Sequence, residues 1–292
     1  MLQRTLGSTG LTVSAVGLGA GRIGGDDASD AAVDRLLGAA LDAGITLLDT
    51  ARGYGLSEER LGRALRGRRE KFVLSTKVGY GTPGLEDWTE KCITAGVEAA
   101  LGRLQTDRLD LVFLHSCDQW VLEQRGVVEA LGRAVEQGKV RVAGYSGENE
   151  ALGWAVRSGK FGAVQCSVSL VDPAGLRSGV PEAEARGVGV LAKRPLGNAP
   201  WRFARRPPEG DVAEAWERYQ QLPKLPGIAP DELALRFSAF APGVAAILVG
   251  TANPEHLVAA ARAVEKGPLP EELAREVYSA WESAGQAWGG RI

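Results

Sequence analysis

Histidine and cysteine are scarce in this 292-residue chain, with two of the first and three of the second. His115 and His256 are too few for a His-rich metal site, so no metal is expected. Cys92, Cys117 and Cys166 are scattered without paired spacing, the pattern of small core residues in a reducing cytosol. No apolar run approaches the ~18 residues that suggest a membrane span. A formal net charge of −2 gives no basic field to hold nucleic acid or an anionic membrane. The opening residues, MLQRTLGSTGLTVS, lack the apolar core of a secretory leader. These absences predict a cytoplasmic protein with no nucleic-acid or membrane partner; a monomer or small homo-oligomer is expected.

What is present is a regular alternation of strand and helix patterns. A hairpin is expected over 3–6 and 11–13. Eight Val-, Leu- and Ile-rich runs then read as strands buried on both faces: 15–21, 46–51, 72–79, 109–115, 140–146, 163–169, 188–194 and 245–251. Helical patterns fill 29–43, 57–66, 88–104, 125–137, 149–158, 181–186, 229–240 and 254–265, with another around 270–287. Ser29 and Ser57 read as N-caps, and Gly44, Gly138 and Gly159 stand just past helix ends. Eight strand–helix units over about 250 residues predict a single α/β domain, a (β/α)8 TIM barrel with an N-terminal β-hairpin. The longest irregular piece, PLGNAPWRFARRPPEG at 195–210, is expected to be a lid or a cofactor clasp.

Gly19, Gly21 and Gly24 spell G-x-G-x-x-G after a strand, and Asp49 ends the next one. In a dinucleotide fingerprint, however, the glycine turn runs directly into a helix, whereas GGDDASD intervenes here. Eight repeats also favour a closed barrel over a doubly wound sheet.

Barrel chemistry gathers at the C-terminal ends of the strands. Those ends offer Asp49 after the second strand, Lys77 in the third and His115 at the end of the fourth, with Tyr54 in the second βα loop. Singly, each has a bland explanation, such as a turn cap, a snorkelling lysine or a hydrogen-bonded core histidine. Together they form a proton-transfer set. A free phenol has a pKa of about 10, and a nearby ammonium lowers it. A carboxylate keeps that ammonium charged away from water. Tyr54 then reads as a general acid tuned by Lys77 and Asp49, with His115 beside them to orient a carbonyl oxygen or help pass the proton.

The segments LGSTGLTVSAVGLGAGRIGG, GITLLDTARGYGLSEERLG, LSTKVG, LDLVFLH, VAGYSG, LAKRPLG and ILVGTANPEHL run in one order over nearly the whole chain. In them the sequence resembles the aldo-keto reductase family, most specifically at D-T-A-x-x-Y-G-x-S-E. The resemblance implies hydride transfer between a nicotinamide cofactor and a carbonyl compound, without metal. It makes Asp49, Tyr54, Lys77 and His115 the catalytic tetrad. It also implies cofactor contacts from Ser146, Gln165, Lys193, Arg194, Pro195, Leu196, Gly197, Gly250, Thr251 and His256. NADPH is favoured and NADH possible, because His256 stands where the family commonly has an arginine for the 2′-phosphate. Two further departures are Gly147, where an asparagine is usual, and Lys193, where an aromatic ring often stacks on the nicotinamide. Arg22, Trp120 and Trp201 are expected to wall the substrate pocket, Trp120 and Trp201 as a possible sandwich, with a short fourth loop leaving it open. Arg22 and Arg52 hint at an anionic or polyhydroxylated substrate. Two other readings compete: a Schiff-base aldolase with Lys77 as nucleophile, and a nucleotide-binding regulatory barrel with little turnover.

Overall fold

In the computed structural model, eight parallel strands close into a barrel in the order β10-β3-β4-β5-β6-β7-β8-β9. The structure describes residues 1–225, 227–284 and 288–290. The antiparallel hairpin is β1 (Gln3–Thr5) and β2 (Thr12–Ser14). The barrel strands are β3 (Val16–Gly19), β4 (Leu47–Asp49), β5 (Val73–Val78), β6 (Leu109–His115), β7 (Val140–Ser146), β8 (Ala163–Ser167), β9 (Gly189–Lys193) and β10 (Ala246–Gly250). Each of the eight expected strands is present.

The helices are α1 (Asp30–Asp42), α2 (Ser57–Ala64), α3 (Glu90–Leu104), α4 (Gln119–Gln124), α5 (Val127–Glu136) and α6 (Asn149–Arg157). After them come α7 (Gly179–Ala185), α8 (Asp211–Gln220), α9 (Pro230–Ala239), α10 (Pro254–Glu265) and α11 (Glu271–Ala284). Residues 285–287 of the helix expected around 270–287 lie outside the described residues. Two helices, α4 and α8, stand where no helix is expected from the sequence. The fourth loop is therefore not a bare short connection but contains α4. Ser29 caps α1 by accepting from Ala32 N–H at 3.2 Å. Gly44, Gly138 and Gly159 take left-handed backbone just past their helices, a conformation that glycine adopts without a Cβ penalty. Ser57 is not a cap: it is the first residue inside α2, and its hydroxyl turns inward to Thr50 Oγ1 at 2.7 Å and donates to Ala20 O at 2.9 Å. The core offers it partners, so the helix end goes without.

Side chains alternate along a strand, so every second residue faces the barrel axis. Leu6, Leu11 and Val13 of the hairpin region pack with Leu47, Leu111, Phe113, Leu191 and Leu248 in one buried cluster, closing the N-terminal mouth of the barrel. One step further up the same inward rows stand Asp49 above Leu47, His115 above Phe113, Gln165 above Ala163 and Lys193 above Leu191. The axis therefore changes from apolar to polar over two residues. Gly144 makes this packing possible, since a Cβ there would lie 2.5 Å from the Phe113 ring. A separate cluster of Tyr219, Leu222, Leu233, Phe237, Val277 and Trp281 seats α8, α9 and α11 beside the loops that follow β8 and β9. Each fully buried aliphatic or aromatic side chain contributes roughly 1.5–3 kcal/mol, enough to make these loops part of the fold.

The segment after β4 is anchored below its functional residues by Glu58. This carboxylate is 1% exposed, accepts from Thr76 Oγ1 at 2.5 Å and pairs with Arg103 Nε at 2.6 Å. Removing one member of a buried pair strands the other. Glu58→Ala is expected to cost about 3–5 kcal/mol, read as a lower urea midpoint at unchanged slope. A loss below about 1 kcal/mol would mean that this anchor is dispensable.

Candidate active site

The four polar residues singled out at the strand ends come together at the C-terminal mouth of the barrel. Lys77 Nζ donates to Asp49 Oδ2 at 2.6 Å and to Thr50 O at 2.9 Å. The other carboxylate oxygen, Asp49 Oδ1, accepts from Ser75 Oγ at 2.7 Å and from Gln165 Nε2 at 2.6 Å. Both charges are buried, Lys77 at 2% and Asp49 at 4% exposure. Burial alone would depress the lysine, but the carboxylate and the neighbouring Tyr54 phenol more than offset it, and the Lys77 ammonium is held above its ordinary value. Its nitrogen lies 4.9 Å from the centre of the Tyr54 ring. Sequence reasoning found the ion pair but missed Ser75 as one of its supports.

Tyr54 reaches this position because the motif around it is a folded unit. Tyr54 N–H donates to Ala51 O, and Ser57 N–H donates back to Tyr54 O, each at 3.1 Å. Leu56 N–H donates to Gly24 O at 3.1 Å, and the Arg60 guanidinium donates to Ile23 O at 2.5 Å and to Gly25 O at 2.6 Å. The short helical turn Ala20–Gly24 therefore backs the tyrosine loop. A Cβ at Gly24 would lie 1.7 Å from Tyr54 O, so this glycine makes room for the tyrosine peptide. Of the three glycines that mimic a dinucleotide fingerprint, Gly21 and Gly24 stand against Tyr54, and Gly24 makes room for its peptide.

His115 ends β6, and its ring meets Tyr54 edge-on with centroids 5.9 Å apart. Burial, followed by the charges of Lys77, Lys193 and Arg194, pulls its pKa down from 6.5 to about 3. The imidazole is thus neutral throughout the physiological range. Nδ1 lies 2.9 Å from Tyr80 Oη, and the two rings stack at 5.3 Å. Tyr80 was not legible as a site residue, because it stands two residues beyond β5 in a stretch without a motif.

The same mouth carries the residues expected to touch a cofactor. Ser146 Oγ donates to Gln165 Oε1 at 3.3 Å, so the two residues form one network with Asp49. Gly147 has a reason: a Cβ there would lie 2.2 Å from the hydroxyl of Tyr145, which is fully buried and donates to Cys117 O at 2.6 Å. An asparagine does not fit beside this tyrosine. Lys193 is not free over the mouth but pairs with the buried Glu148 at 3.2 Å. Burial raises the Glu148 carboxyl, and Lys193 pulls it back. Beside them Ser167 is fully buried, with its N–H donating to Glu148 Oε1 at 2.8 Å and its hydroxyl next to the same carboxylate. Arg194, Gly197, Asn198 and Ala199 all have positive φ, and Gly197 N–H donates to Arg194 O at 2.9 Å, so Pro195 and Leu196 lie in a tight series of turns. Gly250 leaves open space where a Cβ would stand. Thr251 Oγ1 accepts from Asn253 N–H at 3.0 Å, Asn253 caps α10, and His256 is exposed in the first turn. This set, with a buried hydroxyl, two cations and the open backbone at Gly250, fits a phosphate-bearing dinucleotide.

The expected pocket walls are spread more widely. Trp120 stands on α4 at 52% exposure, and Arg22 is exposed on the Ala20–Gly24 turn. Trp201 packs against Tyr219 with centroids 5.6 Å apart, turned into the satellite core. The three cysteines are free and buried, and burial pushes the Cys117 thiol up to about 12. Among the described residues no group of three or more His, Cys, Asp or Glu side chains is placed to hold a metal, and no helix is long and apolar enough to cross a membrane.

Known proteins resemble this chain in sequence and in fold. A profile of the Aldo/keto reductase family matches residues 15–282. L-galactose dehydrogenase of Arabidopsis thaliana is 29% identical over 305 aligned positions, covering 96% of this chain and 94% of that protein. A 6-dehydroglucose reductase of Novosphingobium aromaticivorans is 34% identical over 154 positions, about half of each chain at 49% and 50%. Among solved structures, the holo form of an aldo-keto reductase from Bacillus halodurans superposes with a TM-score of 0.83 at 28% identity, over 96% of both chains. With a closed eightfold barrel and a family match over nearly its whole length, this chain belongs to the aldo/keto reductase family of oxidoreductases.

Proposed function

We propose that the protein reduces an aldehyde or ketone to an alcohol, or runs the reverse reaction, with NAD(P)H as the hydride carrier and Tyr54 as proton donor. One observation carries this reading: a buried ammonium, paired to Asp49 at 2.6 Å, stands 4.9 Å from the ring of Tyr54. The reduced nicotinamide, when bound, supplies the hydride that forms the new C–H bond. As the C=O π bond breaks, the carbonyl oxygen takes its proton from the Tyr54 hydroxyl. Lys77 stabilises the phenolate left behind, and Asp49 keeps Lys77 protonated at that moment. Neutral His115 adds a hydrogen bond to the same oxygen without competing for the proton.

Ser146 and Gln165 are assigned to the carboxamide end of the cofactor, the Arg194–Gly197 turns to its pyrophosphate, and Gly250, Thr251 and His256 to the adenosine phosphate. The exposed N-terminal turn of α10 supplies N–H groups for that last contact, although Glu255 beside His256 opposes a second negative charge. NADPH is favoured, with weak discrimination against NADH. Two relatives are named for sugar chemistry, which makes polyhydroxylated carbonyl compounds and sugar lactols the first substrates to assay. The same Lys77–Asp49 pair argues against a Schiff-base aldolase, because an ammonium held above its usual pKa is a poor nucleophile.

Three measurements test this. Tyr54→Phe is expected to lower turnover by about 10²- to 10⁴-fold, while the cofactor dissociation constant, followed by protein fluorescence, stays within about twofold. A large loss of cofactor affinity would assign Tyr54 a binding role instead. His256→Arg is expected to tighten NADPH and leave NADH alone, so an unchanged affinity ratio would remove His256 from the phosphate site. The pH dependence follows from His115. Its folded-state pKa, about 3, lies below its unfolded value of 6.5, so the unfolded chain binds more protons between them. Its stabilising contribution is complete above pH 6.5 and fades as pH falls toward 3. No break in kcat/KM is expected near 6.5, and an imidazole-type break between pH 6 and 7 would contradict a neutral His115.

A further inference from the structure

We propose that Tyr80 is a positioning residue that fixes the tautomer of His115, directing the Nε2 proton at the substrate. The proposal rests on the roles given above to Tyr54 and His115. A neutral imidazole carries one N–H and one lone pair, and which nitrogen holds the proton is decided by what the other one meets. Nδ1 meets Tyr80 Oη at 2.9 Å, whereas Nε2 has no partner among the described residues. A carbonyl oxygen only accepts hydrogen bonds, so the ring assists it only with the proton on Nε2. The opposite tautomer would turn a nitrogen lone pair toward the oxygen lone pairs. Nε2–H requires Nδ1 to accept, and the Tyr80 hydroxyl is the donor placed to satisfy it. Burial raises the Tyr80 pKa, so its proton stays in place.

The surroundings are shaped to hold this phenol. Gly79 has a φ of +143°, closed to side chains, and a Cβ there would lie 2.1 Å from the Trp88 ring. Trp88 itself takes left-handed backbone at φ +60°, an uncommon state for a bulky residue. Its N–H donates to Gly79 O at 2.7 Å, and Arg125 Nε donates to its carbonyl at 3.1 Å. The indole then lies 5.9 Å from the Tyr80 ring. From the other side, Gly53 leaves room for the hydroxyl, since a Cβ there would be 2.7 Å from it. His115 is held separately: Ser116 turns at φ +68° and donates its N–H to Ser146 O at 2.7 Å. Three loops thus converge on one O–H and one ring nitrogen.

With only two histidines in the chain, the tautomer can be read directly. Full-length protein labelled with 15N-histidine gives two ring systems in a long-range 1H–15N correlation spectrum, and His256→Gln assigns them. The wild-type protein is expected to show His115 protonated at Nε2 with a lone-pair Nδ1. Tyr80→Phe is expected to move proton occupancy toward Nδ1 and to lower kcat about tenfold, with unchanged cofactor affinity. A wild-type His115 protonated at Nδ1 overturns the proposal without any variant. So does a Tyr80→Phe protein in which only the tautomer or only kcat changes, or neither. If Tyr54→Phe keeps full turnover, the proposed chemistry fails, yet the nitrogen spectrum still reports separately whether Tyr80 sets the ring.

Discussion

The contact between Lys77 and Asp49 is the constraint around which the upper half of the barrel is organised. Bringing two charges out of water carries a desolvation cost that Coulomb attraction alone does not reliably offset. The balance is met by hydrogen bonds: Ser75 and Gln165 on one carboxylate oxygen, Lys77 on the other, and Thr50 O on the ammonium. These partners come from three strands and their ends, and neither Ser75 nor Gln165 can be replaced by a side chain lacking its donor. A polar cluster of this kind has to be complete to be stable. Its completeness leaves a permanent positive charge beside a phenol, the condition that proton donation needs.

The barrel accommodates that cluster through a sharp change along each strand. Leucine and phenylalanine fill the axis up to one layer, and the next inward residue is Asp49, His115, Gln165 or Lys193. The apolar layer excludes water from below, so the charges above are solvated by fixed protein groups rather than by bulk water. The DTARGYGLSE segment shows the same economy on a smaller scale. Asp49 serves the ion pair, Thr50 and Ser57 tie to each other and to Ala20, Glu58 holds Thr76 and Arg103, and only Tyr54 is left facing the mouth. Most residues of the motif are tied down by these bonds, and they hold the Tyr54 loop still.

On the cofactor side, two departures from the family pattern turn out to have local causes. Gly147 accompanies Tyr145, whose ring occupies the space that a larger side chain would take. Lys193 accompanies Glu148, a carboxylate that needs a cation because it is 2% exposed and also accepts from Ser167 N–H at 2.8 Å. One pairing lies within β7 and the loop after it, and the other joins that loop to the end of β9, across β8. A change of that kind looks like drift in the linear sequence and like compensation in space.

Period and composition made the barrel legible. Eight apolar runs of strand length, alternating with 3.6-period segments and ended by glycines such as Gly44 and Gly138, admit few other closed architectures. The ion pair was legible too, because Asp49 and Lys77 lie at the ends of neighbouring strands. Helix α4 escaped because six residues are too few to show a period, and α8 because its buried side is made largely of small alanines among charged residues. Ser57 misled because a hydroxyl before a helical run reads as a cap, whereas the fold gives it better partners inside. Tyr80, the inward turn of Trp201, and the Glu148–Lys193 and Tyr145–Gly147 pairings were decided only in three dimensions. Sequence periodicity reports which side of its own element a residue faces. Contacts between loops on different strands depend on closure of the whole barrel, which brings together groups that no local pattern relates.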